Sequence, residues 1–211
     1  MRAQNSDEGE AQDDVASSAR LETFADGVFA IAITLLVLEI HIPSASEPVW
    51  ATLQHQWPSF LAYITSFLTI GTMWANHHRI FTVIRGTSYG FLFVNVLLLM
   101  PIAFLPYPTA VMAQHFAATP DGFAATMLYA GTMALISVFF SVLWVYAGST
   151  GLLAPNAATS PALLRRGQLI YRLAPLIYLA GGLASIVNPV ISLAVFIALA
   201  IYWIYPAAMK R

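Results

Sequence analysis

One carboxylate, Asp26, stands at the head of an apolar run from Val28 to Leu38 that only Thr34 interrupts. A charged side chain within a membrane span costs about 2.5 to 3.5 kcal/mol on insertion scales, so it ordinarily has a partner. Arg20, Asn76, His77 and His78 are the candidates. Such a group can serve as a structural latch, a proton relay or part of a metal site. His77 and His78 are adjacent, and neighbours on a helix diverge by about 100°. That spacing suits two hydrogen-bonded interface histidines better than a shared metal, and the latch is the favoured reading of Asp26.

Catalysis has little to work with. The chain has no cysteine, which excludes disulfides, cysteine-bound zinc and thiol chemistry. No His-Glu-x-x-His helix is present for a metalloprotease. Serine chemistry would need a histidine in reach of the nucleophile, and the five histidines fall in loops or near the ends of apolar runs. Glu39, His41, Glu47, His55, His115 and Asp121 form an outer set whose spacing demands no metal.

The elements that must position these residues are membrane helices. Hydrophobic residues make up 59% of 211 positions and charged residues 9%, against about a quarter charged in soluble domains. A formal net charge of −1 gives no field that favours nucleic acid. Residues 1–19 are polar and acidic, with Asp7, Glu8, Glu10, Asp13 and Asp14, and read as a disordered tail before one membrane domain over 20–211. The acidic lead-in and full-length first span are unlike a cleaved secretory signal.

About 20 apolar residues cross about 30 Å of hydrocarbon, and six stretches qualify: 24–42, 58–74, 89–107, 122–147, 171–187 and 189–205. Pro101 is expected to kink the third, and Gly181, Gly182, Ala184 and Ser185 to permit close contact of the fifth. Asn188-Pro189 marks a tight turn. All nine Lys and Arg fall at alternate span ends: Arg2 and Arg20, Arg79 and Arg85, Arg165, Arg166 and Arg172, then Lys210 and Arg211. Positive charge gathers on the cytoplasmic side. The expected fold is therefore an all-α, multi-pass bundle in the cell membrane with both termini cytoplasmic.

At 100° per residue, Ile31, Thr34, Leu35, Leu38 and Ile42 share one stripe of the first helix. Asp26 points elsewhere, toward the side of Phe29, Ile33, Val37 and Ile40. By periodicity alone such a stripe faces lipid or core more often than a pore. Glu39 lies about 80° from Ile31, and reads equally as a cation-concentrating group or a solvated end residue. Gly86-Thr87-Ser88-Tyr89-Gly90 only superficially resembles a potassium filter, since it lies among Arg79 and Arg85 with no pore helix before it.

The segment Arg20-Leu-Glu-Thr-Phe24-Ala25-Asp26 and the later Trp74-Ala-Asn76-His77-His78-Arg79-Ile-Phe81 carry a resemblance. Together they resemble the endosomal and lysosomal potassium channels known as transmembrane protein 175 and their bacterial homologues, whose first helix opens with Arg, three variable residues and Phe-Ser-Asp. The departure is Ala25, which lacks the hydroxyl of the family serine. The resemblance implies a homotetramer in the lipid bilayer, with four first helices around a central pore. Ile31, Leu35 and Leu38 would form an apolar gate that closes by dewetting. Thr34, eight residues after Asp26, corresponds to a threonine ring that favours potassium, and Glu39 would sit at the outer mouth. Arg20, Phe24, Asp26, Trp74, Asn76, His77 and His78 would form the network behind it. No cofactor is implied beyond the permeant potassium ion. A proton- or cation-coupled transporter using Asp26 is the competing expectation.

Overall fold

The computed structural model describes the backbone of residues 2–117, 119–154 and 161–208, and the side chains of 18–117, 119–154 and 172–203. The expected tail over 1–19 falls almost wholly outside the described side chains, as do Arg165, Arg166, Lys210 and Arg211. The described elements are helical apart from one isolated antiparallel bridge between Ile84 and Leu153. In order they are α1 (Arg2–Leu35), a 3-10 turn (Leu36–Glu39), α2 (Val49–His55), α3 (Trp57–Phe81), α4 (Tyr89–Phe104) and α5 (Pro106–Gln114). There follow α6 (Pro120–Ser149), α7 (Pro161–Leu183), a second 3-10 turn (Ala184–Ile186) and α8 (Pro189–Ala208).

The pattern of α1 explains how it packs. Leu21, Ala25, Phe29, Ala32 and Leu36 recur at three- and four-residue steps and are all buried, the spacing of one helix face. This face lies against α3 and α4. After Leu35 the helix tightens to 3-10 geometry, and Ile40 is already extended. The span thus loses its α geometry well before Ile42, the one residue that Pro43 itself biases away from the helical region.

Among the described residues three stretches are long and apolar enough to cross a membrane, Ser18–Glu39, Tyr89–Gln114 and Pro120–Ser149, with shorter apolar helices at Arg172–Ile186 and Pro189–Trp203. Helix α3, at 25 residues, has the length but not the hydropathy. Its polar side chains face inward: Thr65, Ser66, Thr69, Thr72 and His77 are buried. Thr65, Thr69 and Thr72 each donate to the carbonyl four residues back at 2.7 Å, which satisfies the hydroxyls without a partner helix. The Ser66 hydroxyl lies 2.9 Å from that of Thr109 on α5 and 3.3 Å from that of Tyr129 on α6.

Pro101 sits inside α4, and the interruption comes later, at Leu105 between α4 and α5. Pro106 cannot donate to the Ile102 carbonyl; Leu105 N–H does so instead at 3.2 Å. Helix α7 approaches α6 closely. A Cβ on Gly182 would meet Ala130 Cβ at 2.6 Å and Met127 Sδ at 2.9 Å. At the α7–α8 turn the Asn188 side chain accepts from Val190 N–H at 2.8 Å. At the other end of the bundle, Arg85 N–H donates to Leu152 O and Ala154 N–H to Val83 O, each at 2.9 Å. These bonds tie the α3–α4 connection to the segment after α6. The filter-like segment 86–90 simply starts α4, with Ser88 as its cap.

Candidate functional site

Two rungs join α1 to α3. Trp74 Nε1 donates to Asp26 Oδ1 at 2.8 Å, and one turn away His78 Nδ1 lies 2.6 Å from Glu22 Oε1. Side chains four apart on a helix share a face, so Glu22 and Asp26 rise together opposite Trp74 and His78. The two rings stack, with centroids 6.2 Å apart and planes at 23°. Asp26 thus takes as its partner not one of the four residues expected from sequence but Trp74, while His78 goes to Glu22.

His77 turns the other way, into the core. It is fully buried, and its Nε2 lies 2.7 Å from Asn95 Oδ1 on α4. The ring stacks on Phe81 at 4.5 Å and meets Phe29 of α1 edge-on at 5.4 Å. Adjacent histidines therefore serve different partners, as their divergence requires. Asn76 is half-buried and lines a small cavity with Thr69, Thr72 and Ser137. Arg20 is exposed, Phe24 is 56% exposed, and Ala25 is fully buried in the packed seam.

The opposite face of α1, continued by the 3-10 turn after it, is uncovered in the single chain. Ile31 is 61% exposed, Leu35 39% and Leu38 73%, and Thr34 and Glu39 are exposed with them. The Thr34 hydroxyl donates to Ile31 O at 2.9 Å. Beyond Glu39 the loop is closed by Glu47, whose Oε2 accepts from Ser44 N–H at 2.8 Å and lies 3.3 Å from His41 Nε2. The Ser44 amide, followed by His41, holds the Glu47 carboxyl below the usual carboxylate range. Among the described residues no group of three or more His, Asp or Glu is placed to hold a metal ion.

The model of a family described as the endosomal/lysosomal potassium channel TMEM175 matches residues 20–106. A potassium channel of Streptomyces collinus is 40% identical over 189 residues, spanning 88% of this chain and 91% of its own length. The chain belongs to the TMEM175 family. A second bacterial member, a potassium channel of Chamaesiphon minutus, is 40% identical over 191 residues, 88% of this chain and 93% of its own. The crystal structure of a lysosomal potassium-selective TMEM175 homologue from Chamaesiphon minutus superposes with a TM-score of 0.80 at 36% identity, covering 92% of this chain and 99% of that one. TMEM175 proteins are ion channels, not enzymes.

Within this TMEM175 chain, sequence reasoning missed Glu22, Asn95 and the donor role of Trp74. Each had a signal. Glu22 precedes Asp26 by one helical turn, as Trp74 precedes His78, and Asn95 is the lone polar residue in the run Phe91–Met100.

Proposed function

We propose that the chain is one subunit of a potassium-permeable cation channel in the cell membrane, a multi-pass protein of six spans with both termini cytoplasmic. Four copies enclose a pore lined by the exposed face of α1. Ile31, Leu35 and Leu38 are its apolar constriction, Thr34 its polar ring and Glu39 its outer mouth. The observation that carries this is the two-sidedness of α1: a packed face that includes Ala25 and Phe29, and an uncovered face with Thr34 amid large apolar side chains.

The chemistry supports conduction with modest selectivity. Thr34 spends its hydroxyl hydrogen on Ile31 O, so its oxygen lone pairs remain to face a passing cation. Four such oxygens replace part of a hydration shell, and potassium gives up its water more readily than sodium. Apolar rings offer no replacement ligand and close the path when they dewet. The alternation of all nine Lys and Arg supports the orientation. One α1 cannot enclose a path, and a closed ring of copies does so by symmetry.

The test is potassium flux in liposomes holding the purified protein. Leu35→Ala and Leu38→Ser should each raise voltage-driven flux several-fold, and Thr34→Val should lower the preference for potassium over sodium. Gate variants that conduct like the parent would end the pore assignment. Flux that requires a counter-ion gradient would favour a coupled transporter instead.

A further inference from the structure

Helices α7 and α8 form an antiparallel hairpin, and at the end away from the Asn188 turn they part to leave an outward groove. It has a volume of about 290 Å³ and is lined by Leu173, Ile177 and Tyr178 on α7 and by Leu199, Tyr202 and Trp203 on α8. Leu173, Ile177 and Tyr202 are exposed at its rim, at 45%, 44% and 52%. The groove abuts the inner cavity beside Asn76, and the two share Ala174, Tyr178 and Trp203 as a wall. Tyr178 and Trp203, one from each helix, thus stand between the groove and the inner cavity.

Two features define what would fill this groove. Tyr202 and Trp203 meet edge-on at 5.7 Å, and such amphipathic rings settle at the level of lipid headgroups. The exposed Arg172 immediately precedes the groove's first lining residue. The sequence also carries Arg165 and Arg166 in the first turns of α7 and Lys210 and Arg211 after α8. An apolar slot rimmed by aromatic rings, with an exposed guanidinium one residue from its lining, is complementary to a lipid with a negative headgroup.

We propose that this groove binds one anionic glycerophospholipid, with an acyl chain between α7 and α8 and the headgroup phosphate on Arg172. The guanidinium supplies the forked donor that a phosphate oxygen pair accepts. The aromatic wall gives the chain a surface that abuts α3, next to the rungs that hold α1. The proposal rests on the membrane-spanning reading but not on the pore.

The experiment uses the full chain in phosphatidylcholine vesicles carrying a small fraction of brominated-chain phosphatidylglycerol, or the same fraction of brominated-chain phosphatidylcholine. Bromine quenches tryptophan on contact, and the Trp203 contribution is the difference between the parent and Trp203→Phe. Its apparent affinity should be about fivefold higher for the anionic lipid, the worth of one basic group near a membrane surface. Arg172→Gln should erase the preference and Arg172→Lys keep most of it. Equal quenching of Trp203 by the two lipids in the parent would overturn the proposal, as would a preference unchanged in Arg172→Gln. Potassium flux measured in the same vesicles keeps the outcomes separate: lipid preference without flux fails the channel reading alone, and flux without preference fails the lipid site alone.

Discussion

Trp74 and Asp26, 48 residues apart in the chain, meet with the indole N–H 2.8 Å from a carboxylate oxygen. The bond fixes the rotation of α1 about its axis relative to α3. With Asp26 held toward α3, Ile31, Thr34 and Leu35 are presented on the uncovered face. Trp74→Phe keeps the ring and removes the donor, and Asp26→Asn removes the charge. A double-mutant cycle on reversible unfolding in detergent should give a coupling of about 0.6 to 1.7 kcal/mol, the range for polar contacts between membrane helices. Strict additivity would mean that the contact contributes nothing.

The buried pair of His77 and Asn95 should show the asymmetry of a desolvated hydrogen bond. Asn95→Leu leaves the histidine's Nε2 without its partner and should cost about 1 to 3 kcal/mol. Adding His77→Phe should recover much of that loss, because both polar groups are then gone and the new ring can still stack on Phe81. Thermal unfolding of the two variants decides it. A double variant less stable than Asn95→Leu by the full cost of losing His77 would contradict this account.

Two glycines on facing helices should respond with opposite sign. A methyl on Gly182 would strike Ala130, so Gly182→Ala must push α7 from α6, an overpacking cost of about 1 to 3 kcal/mol. Gly131, on the same α6, has nothing within 4 Å of where its Cβ would stand. Gly131→Ala should therefore stabilise by about 0.5 to 1 kcal/mol through helix propensity alone. Melting temperatures that move the same way for both would refute the packing argument.

Glu47 should make its loop acid-sensitive. Its carboxyl is held below the ordinary value of 4.5 by the Ser44 amide and then by His41. A depressed folded pKa gives stability that is complete above the ordinary carboxylate range and is lost as pH falls through the folded pKa. Exchange protection of the Ser44 amide, corrected for the intrinsic rate, should hold at neutral pH and disappear in acid below 4.5. In Glu47→Gln the protection should no longer vary with pH over that window. An identical acid profile in that variant would remove Glu47 from the explanation.

Much of the architecture was legible because the bilayer narrows the choices. The starts of α4, α6 and α8 follow Ser88, Thr119 and Asn188, whose side chains accept N–H groups that a helix start leaves unpaired. The interruption at Leu105 was less legible than Pro101. A proline inside a helix can be absorbed by neighbours, and which of several prolines breaks the ladder depends on what surrounds the freed carbonyl. Likewise 58–74 reads as a span in the sequence, and only the structure shows that the polar residues of α3 turn inward and that its threonines bond their own backbone.

By itself the sequence determined that Ile31, Thr34, Leu35 and Leu38 share one stripe of the first helix and that Asp26 points away from it, because a 3.6-residue period fixes those angles; that the stripe is bare and the face of Ala25 and Phe29 buried was decided by the tertiary structure. The sequence also favoured two separately hydrogen-bonded histidines at 77 and 78 over a shared metal site. Only the tertiary structure decided that Asp26 belongs to Trp74, Glu22 to His78 and Asn95 to His77. Periodicity gives each helix its faces, but the pairing of polar groups across helices depends on their relative rotation and depth, which are set when the whole bundle packs.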